Sequence, residues 1–157
     1  MGDAVRRDKK AAELLAAPGE CEKWTRGEIN GWKFRGKIDK FFSLDGGVTN
    51  DILDIKSMAD ANPYKARRTI RNDYYDVQQL IYRFLEGGTG DHWVIAVDGD
   101  FEVSTIRIDG LAMDAAQRKF ERLMSSFERC IFEEAWMQSY SFYAPEGFYT
   151  LTDELNY

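Results

Sequence analysis

Asp39, Asp54 and Lys56 are the residues of this chain whose types and spacing can do chemistry. An Asp at the end of one strand, a turn, and Asp-x-Lys on the next strand make the arrangement that metal-assisted phosphodiester cleavage needs. Two carboxylates on neighbouring strands offer hard oxygens to one or two Mg²⁺ ions, which lower the pKa of a water and stabilise a leaving oxygen. A lysine beside them neutralises charge in the transition state. The same Asp-x-Lys on an exposed strand also reads as a cross-strand ion pair, so these three residues alone leave both readings open.

A second cluster is basic. KARRTIR carries Lys65, Arg67, Arg68 and Arg71 without an acid, and it reads either as a solvated helix face or as a local groove for phosphates. The net charge of −6 excludes coating of nucleic acid through bulk charge but not such a groove. His92 follows Gly90-Asp91 and reads as a surface-loop histidine, because no Ser or Cys nucleophile motif accompanies it. The glycine pairs lack dinucleotide or Walker spacing. Cys21 and Cys130 match no CxxC spacing and read as reduced packing thiols, and a single histidine nearly excludes zinc. Trp24 and Trp32 flank a turn and read as packing residues, within reach of a DNA strand.

The elements that must position these groups follow from periodicity and breakers. Residues 3–17 are helix formers stopped by Pro18-Gly19. Two strands, 21–29 and 32–42, meet at Asn30-Gly31, a strong hairpin signal. Alternation along the second puts Trp32, Phe34, Gly36 and Ile38 on one face and Lys33, Arg35, Lys37 and Asp39 on the other. After Asp45-Gly46-Gly47, residues 48–57 read as a third strand with Asp54 and Lys56 on one face and Leu53 and Ile55 on the other. A helix from Pro63 holds the basic cluster. A second, from about Asp73 to Leu85, has a core stripe of Val77, Ile81 and Phe84 and a polar-aromatic row of Tyr75, Gln78 and Tyr82. Residues 93–97 and 101–108 read as a hairpin through Asp98-Gly99. A long helix from about Leu111 to Trp136 carries Phe120, Leu123, Phe127 and Ile131 at core spacing, and an aromatic tail follows from about residue 138. The order α, ββ, β, αα, ββ, α is that of an α+β domain with a central mixed sheet of about five strands flanked by helices.

With 157 residues, 44% apolar and 31% charged, the chain has the length and composition of one globular domain, residues 1–157. No apolar run approaches the ~18 residues of a spanning helix, and the N-terminus lacks a signal-peptide stretch, so the expectation is a soluble, cytoplasmic protein with no membrane partner.

Taken together, GKIDKFFSLDGGVTNDILDIKS and YYDVQQLIYRFLEGG resemble the PD-(D/E)XK nuclease superfamily, and within it the phage and prophage exonuclease VIII (RecE-like) family. The resemblance rests on Gly36–Asp39, on Asp54-Ile55-Lys56-Ser57, and on Tyr75, Gln78 and Tyr82. It implies a restriction-endonuclease-like core. It also implies a Mg²⁺-dependent exodeoxyribonuclease, with Mn²⁺ able to substitute, acting on double-stranded DNA ends in recombination. On that resemblance Asp39, Asp54 and the Ile55 carbonyl are the metal ligands and Lys56 is the catalytic lysine. Gln78 positions the lysine or a phosphate, Tyr75 lines the DNA path, and Arg67, Arg68 and Arg71 contact phosphates. A homo-oligomeric ring and a single-strand annealing partner are implied by analogy.

One departure stands out. Family members carry an upstream helix with a histidine or glutamate that completes the metal site, and this chain begins too late to include it; Glu13, Glu20 and Glu28 are the available stand-ins. The alternative is a catalytically inactive nuclease-fold module for DNA binding or assembly.

Overall fold

The computed structural model describes residues 2–134. In chain order the elements are α1 (Gly2–Arg7), α2 (Lys9–Ala16), β1 (Gly19–Ile29), β2 (Trp32–Phe42), β3 (Asp51–Ser57), α3 (Pro63–Asn72), α4 (Tyr75–Glu86), β4 (His92–Val97), β5 (Val103–Ile108) and α5 (Gly110–Phe132). The single helix expected over 3–17 is two. Asp8 leaves helical geometry and its carboxylate accepts the Ala11 N–H at 2.7 Å and the Thr105 hydroxyl at 3.0 Å, so it caps α2 and ties it to β5. Asn30 and Gly31 both have positive φ, 52° and 82°, as a type I′ turn requires. The β4–β5 connection is longer than the two-residue turn expected. Asp98 accepts N–H groups from Ala61, Asp100 and Glu102, each at 3.0 Å, which holds residues 98–102 as a loop.

The five strands form one mixed sheet in sequence order, with β3 and β4 parallel and every other neighbouring pair antiparallel. The parallel pair needs a crossover, and α3 and α4 supply it. One sheet face packs Leu53, Ile95, Val97 and Phe42 against Val5, Ala11 and Leu14 of α1 and α2. The other packs Ile38 and Ile52 against Tyr82 of α4. The helix α4 therefore turns differently from the stripe expected. It buries Val77, Leu80 and Tyr82 together with Asp76 and Gln79, while Phe84 is 43% exposed. The cause lies in Gly36: a Cβ there would meet the Tyr82 ring at 2.5 Å, and without one the ring lies on β2 with its hydroxyl donating to the Lys37 carbonyl at 2.9 Å.

His92 is a correction. It is buried at the start of β4, paired in register with Ile52 and Ile108, and its Nδ1 lies 3.2 Å from Gln79 Oε1. The loop before it is drawn in by Asp51, whose buried carboxylate accepts the N–H groups of Asp91 and Leu44. Desolvation, with Arg83 adding to it, lowers the His92 pKa to about 4.

The chain divides into two compact units. In the first, which ends at Phe120, α5 buries Met113, Ala116 and Phe120, and the Phe120 ring stands 5.9 Å from Phe34 and 6.0 Å from Phe84. In the second, which begins at Glu121, Leu123, Phe127 and Ile131 are 42, 39 and 38% exposed, so the buried stripe expected along the whole helix ends at Phe120. The expected aromatic tail from about residue 138 lies outside the described residues.

Two outcomes follow for stability. Gly36→Ala forces the tethered Tyr82 ring off β2 and costs about 1–3 kcal/mol by overpacking, read by denaturant unfolding; an unchanged midpoint refutes the close approach. For His92, the native pKa lies below the unfolded value of 6.5, so between pH 6.5 and about 4 the unfolded chain binds more protons and stability falls as pH falls. The loss reaches ~3 kcal/mol at most, and the difference between wild type and His92→Gln, measured across that range, isolates it. A difference independent of pH contradicts the burial.

Candidate active site

The strands β2 and β3 are hydrogen-bonded only through Lys40–Leu53, Phe41–Ile52 and Phe42–Asp51, and beyond that they part. Where backbone pairing stops, the Asp39 carboxylate takes over: its Oδ2 accepts the Ile55 N–H at 2.7 Å. The strand-alternation reading placed Asp39 opposite Ile38. In the structure the alternation breaks there, because Ile38 and Phe41 pack in the cluster on the α4 side and Asp39 stands beside Asp54 on that same side. The break coincides with Glu22 of β1, which has φ 58°; register sets it opposite Asp39, yet it drops out of the β1–β2 ladder.

Asp54 and Lys56 share a face, as period two requires. The Asp54 carboxylate is 2% exposed, and the Lys56 ammonium approaches its Oδ2 to 2.6 Å. That contact is a buried ion pair, and Asp39 lies within reach of the same carboxylate. Burial raises the Asp54 pKa, Lys56 opposes the rise, and the Asp39 charge adds to it. Two adjacent carboxylates form a donor set of hard oxygens, the chemistry that suits Mg²⁺. The Ile55 backbone lies between the two acids and its N–H is already held, which fixes the strand there.

Tyr75, at the first turn of α4, places its ring 4.9 Å from the Lys56 ammonium. Lys56 is thus held between a carboxylate and an aromatic face. Gln78 sits one turn on, and its Nε2 donates to the Tyr82 hydroxyl at 2.9 Å. That hydroxyl in turn donates to Lys37, so Gln78 is fastened to β2 through Tyr82. Burial raises the Tyr82 pKa, and Asp54 adds to the rise, which puts the phenol within the field of the site.

The basic residues are placed apart from the acids. Arg67, Arg68 and Arg71 are exposed on α3. Arg67 stacks on Tyr64 at 4.9 Å and donates to the Pro63 carbonyl, and Lys65 is paired with Asp60 at 2.5 Å. The stand-in acids are not gathered either. Glu13 lies on α2, which covers the sheet face opposite Asp54, and pairs with Lys10 at 2.8 Å; Glu28 faces Lys33 across the hairpin; Glu20 is exposed on β1. No cluster of three His, Cys, Asp or Glu side chains occurs among the described residues. Cys21 is exposed and Cys130 half-buried, and neither forms a disulfide among the described residues. No described helix is long and apolar enough to cross a membrane.

No protein-family model matches the chain, and no curated protein matches it in sequence. Among solved structures, the crystal structure of a protein named "Putative exonuclease" from Eubacterium rectale is similar at a TM-score of 0.68 and 16% identity, covering 96% of this chain and 59% of that one. The crystal structure of SSO0001 gives a TM-score of 0.46 at 16% identity over 78% of this chain and 59% of that one. This chain therefore spans about three-fifths of the first structure's length. Over the shared part the two folds are alike, and in this chain the fold is α+β with a five-stranded mixed sheet flanked by helices.

Proposed function

We propose that this chain is a metal-dependent deoxyribonuclease that hydrolyses phosphodiester bonds, in the manner of an exonuclease acting on double-stranded DNA ends. The observation that carries the proposal is the buried Asp54 carboxylate, paired with Lys56 and next to Asp39, on a nuclease-like fold. The resemblance of the Gly36–Asp39, Asp54–Ser57 and Tyr75–Tyr82 segments to the exonuclease VIII family supports the finer reading, a role in phage or prophage recombination.

Asp39, Asp54 and the Ile55 carbonyl are the groups that hold the metal. A bound Mg²⁺ or Mn²⁺ supplies Lewis acidity to the phosphate and acidity to a coordinated water. Lys56, kept in place by Asp54 and Tyr75, presents its ammonium to the charge that develops on the phosphate. Gln78 and Tyr82 hold β2 and α4 together at the edge of the site, and the arginines of α3 are the candidates for phosphates further along the duplex. The second reading, a nuclease-fold module that binds DNA without cutting it, has one observation in its favour: the site gathers two carboxylates rather than three.

Digestion of end-labelled linear and circular duplex DNA in Mg²⁺ separates the two readings. The nuclease degrades linear DNA and spares the circle, and Lys56→Ala slows it by about 10²–10³-fold, the scale of losing one charge-stabilising donor. Cleavage that survives Lys56→Ala removes Lys56 from the reaction, and a wild type that binds duplex without cutting it gives the chain to the second reading. Metal binding is tested separately by melting. Mg²⁺ at ~100 times its Kd adds ~2.7 kcal/mol, a rise in Tm of roughly 5–10 °C. Asp54→Asn removes that rise. Because burial net-disfavours the Asp54 charge, the same variant melts higher than wild type in EDTA; a lower Tm there shows that Lys56 pairing outweighs desolvation.

A further inference from the structure

We propose that the cavity between α3, β5 and the start of α5 is a phosphate-binding site. The cavity has a volume of about 170 Å³ and is lined by Arg67 and Arg71 from α3, Arg107 from β5, and Asp76, Asp109 and Ala112, with isoleucine side chains as its floor. Arg67 and Arg71 are four residues apart on one helix face, where like charges repel. Arg107 adds a third guanidinium from the facing strand. Arg67, whose guanidinium also stacks on Tyr64, and Arg107, which also reaches Asp91, line the cavity with Arg71, and an anion held there offsets the repulsion among them.

The acids of the cavity are already engaged. Asp76 is held by Lys119 at 2.6 Å, and Asp109 accepts the Ala112 N–H at 2.8 Å as the cap of α5. Arg107 reaches Asp91 only at 3.5 Å, and among the described residues no carboxylate pairs with Arg67 or Arg71. The guanidinium fork matches two phosphate oxygens at once, which an ammonium does not, and the lining uses arginine at all three positions. Lys119 completes the surroundings from α5: it donates to the Arg71 carbonyl at 2.8 Å and so fixes the α3 end of the cavity. The isoleucines exclude water from one side, which strengthens each charge-assisted contact. A phosphate of either origin fits this chemistry, whether a free phosphate or nucleotide group or a link of a nucleic-acid backbone.

The inference does not need the metal site, and its test is made without metal. Calorimetric titration of the EDTA-treated protein with inorganic phosphate, at ionic strength held constant with chloride, is expected to show saturable binding. Arg71→Ala and Arg107→Ala each weaken it by about tenfold or more, the scale of a lost hydrogen bond to a charged group, whereas Arg35→Ala on the distant hairpin leaves it unchanged. Arg107 is more than half exposed, so its removal spares the fold, and Arg107→Lys, which keeps the charge and loses the fork, weakens binding as well. Repeating the titration with a saturating duplex that lacks terminal phosphates assigns the source. If the duplex abolishes phosphate binding in the wild type, backbone phosphates occupy the cavity; if it does not, the site takes a small phosphate ligand. Absence of phosphate binding in the wild type, or an equal loss with Arg35→Ala, overturns the proposal. A chain that binds phosphate and fails to cut DNA keeps this site and loses the nuclease reading; the reverse result keeps only the nuclease.

Discussion

A single side-chain bond, from the Ile55 N–H to the Asp39 carboxylate, marks where the sheet stops being a ladder and becomes a site. Up to Lys40 and Leu53 the strands β2 and β3 satisfy each other's backbone. Past that point an unpaired N–H in a half-buried strand is costly, and Asp39 removes the cost with a charge-assisted bond that also pins its own carboxylate. The partner acid, Asp54, is then forced close. Two like charges in a buried cleft repel each other and lose hydration, and the raised pKa of Asp54 records both effects. Stability is given up locally, and the surrounding packing has to supply it.

That packing is asymmetric about the break in β2. Asp39 faces the α4 side, while its neighbour Lys40 is buried on the other side, where its ammonium donates to the Leu14 and Leu15 carbonyls at the end of α2. A cation at a helix C-terminus satisfies orphan carbonyls and suits the helix dipole, even though burial lowers the lysine pKa. Consecutive residues of opposite charge are thereby anchored on opposite faces of the sheet. On the site's side, α4 is fixed by three independent ties to the hairpin and to α5: Tyr82 to Lys37, Glu86 to Lys23 at 2.5 Å, and Asp76 to Lys119. These ties hold Tyr75 against Lys56, so a lysine on a strand is oriented by a helix of the β3–β4 crossover.

Much of this was legible in the sequence, and the failures share one cause. Breakers and turn residues act locally, so the Asn30-Gly31 hairpin and the helix start at Pro63 could be read directly. The Asp54–Lys56 pairing depends only on period two and was equally plain. Asp39 was found by type and position, but its facing was misread, because alternation breaks there, opposite Glu22 on a different strand. His92 looked like a loop residue because the bonds that bury its loop come from Asp51, forty residues upstream of Asp91. The stripe of α4 was misjudged because a glycine on β2, not the helix itself, decides which face can approach the sheet. Arg107 carried no local signal, since one arginine on a strand acquires meaning only when α3 is folded over it.

The two charged centres of the chain are arranged by opposite logic, and both lie about α4. Asp39 and Asp54 concentrate negative charge at the splay of β2 and β3, with Tyr75 of α4 above Lys56. Arg67, Arg71 and Arg107 concentrate positive charge at β5, with Asp76, the residue after Tyr75, in the wall of their cavity. Adjacent residues of one helix turn thus border both centres. On the two proposals, a polyanion crossing the junction of α3 and α4 would meet cations first and reach the acids only where a metal ion makes them attractive, so a net charge of −6 does not oppose local recruitment of a phosphate backbone. The negative surplus elsewhere then opposes nonspecific coating. On the two proposals, contact with a phosphate backbone would be confined to the arginine cavity and the splay of β2 and β3, with its strength set by salt at the first and by divalent cation at the second.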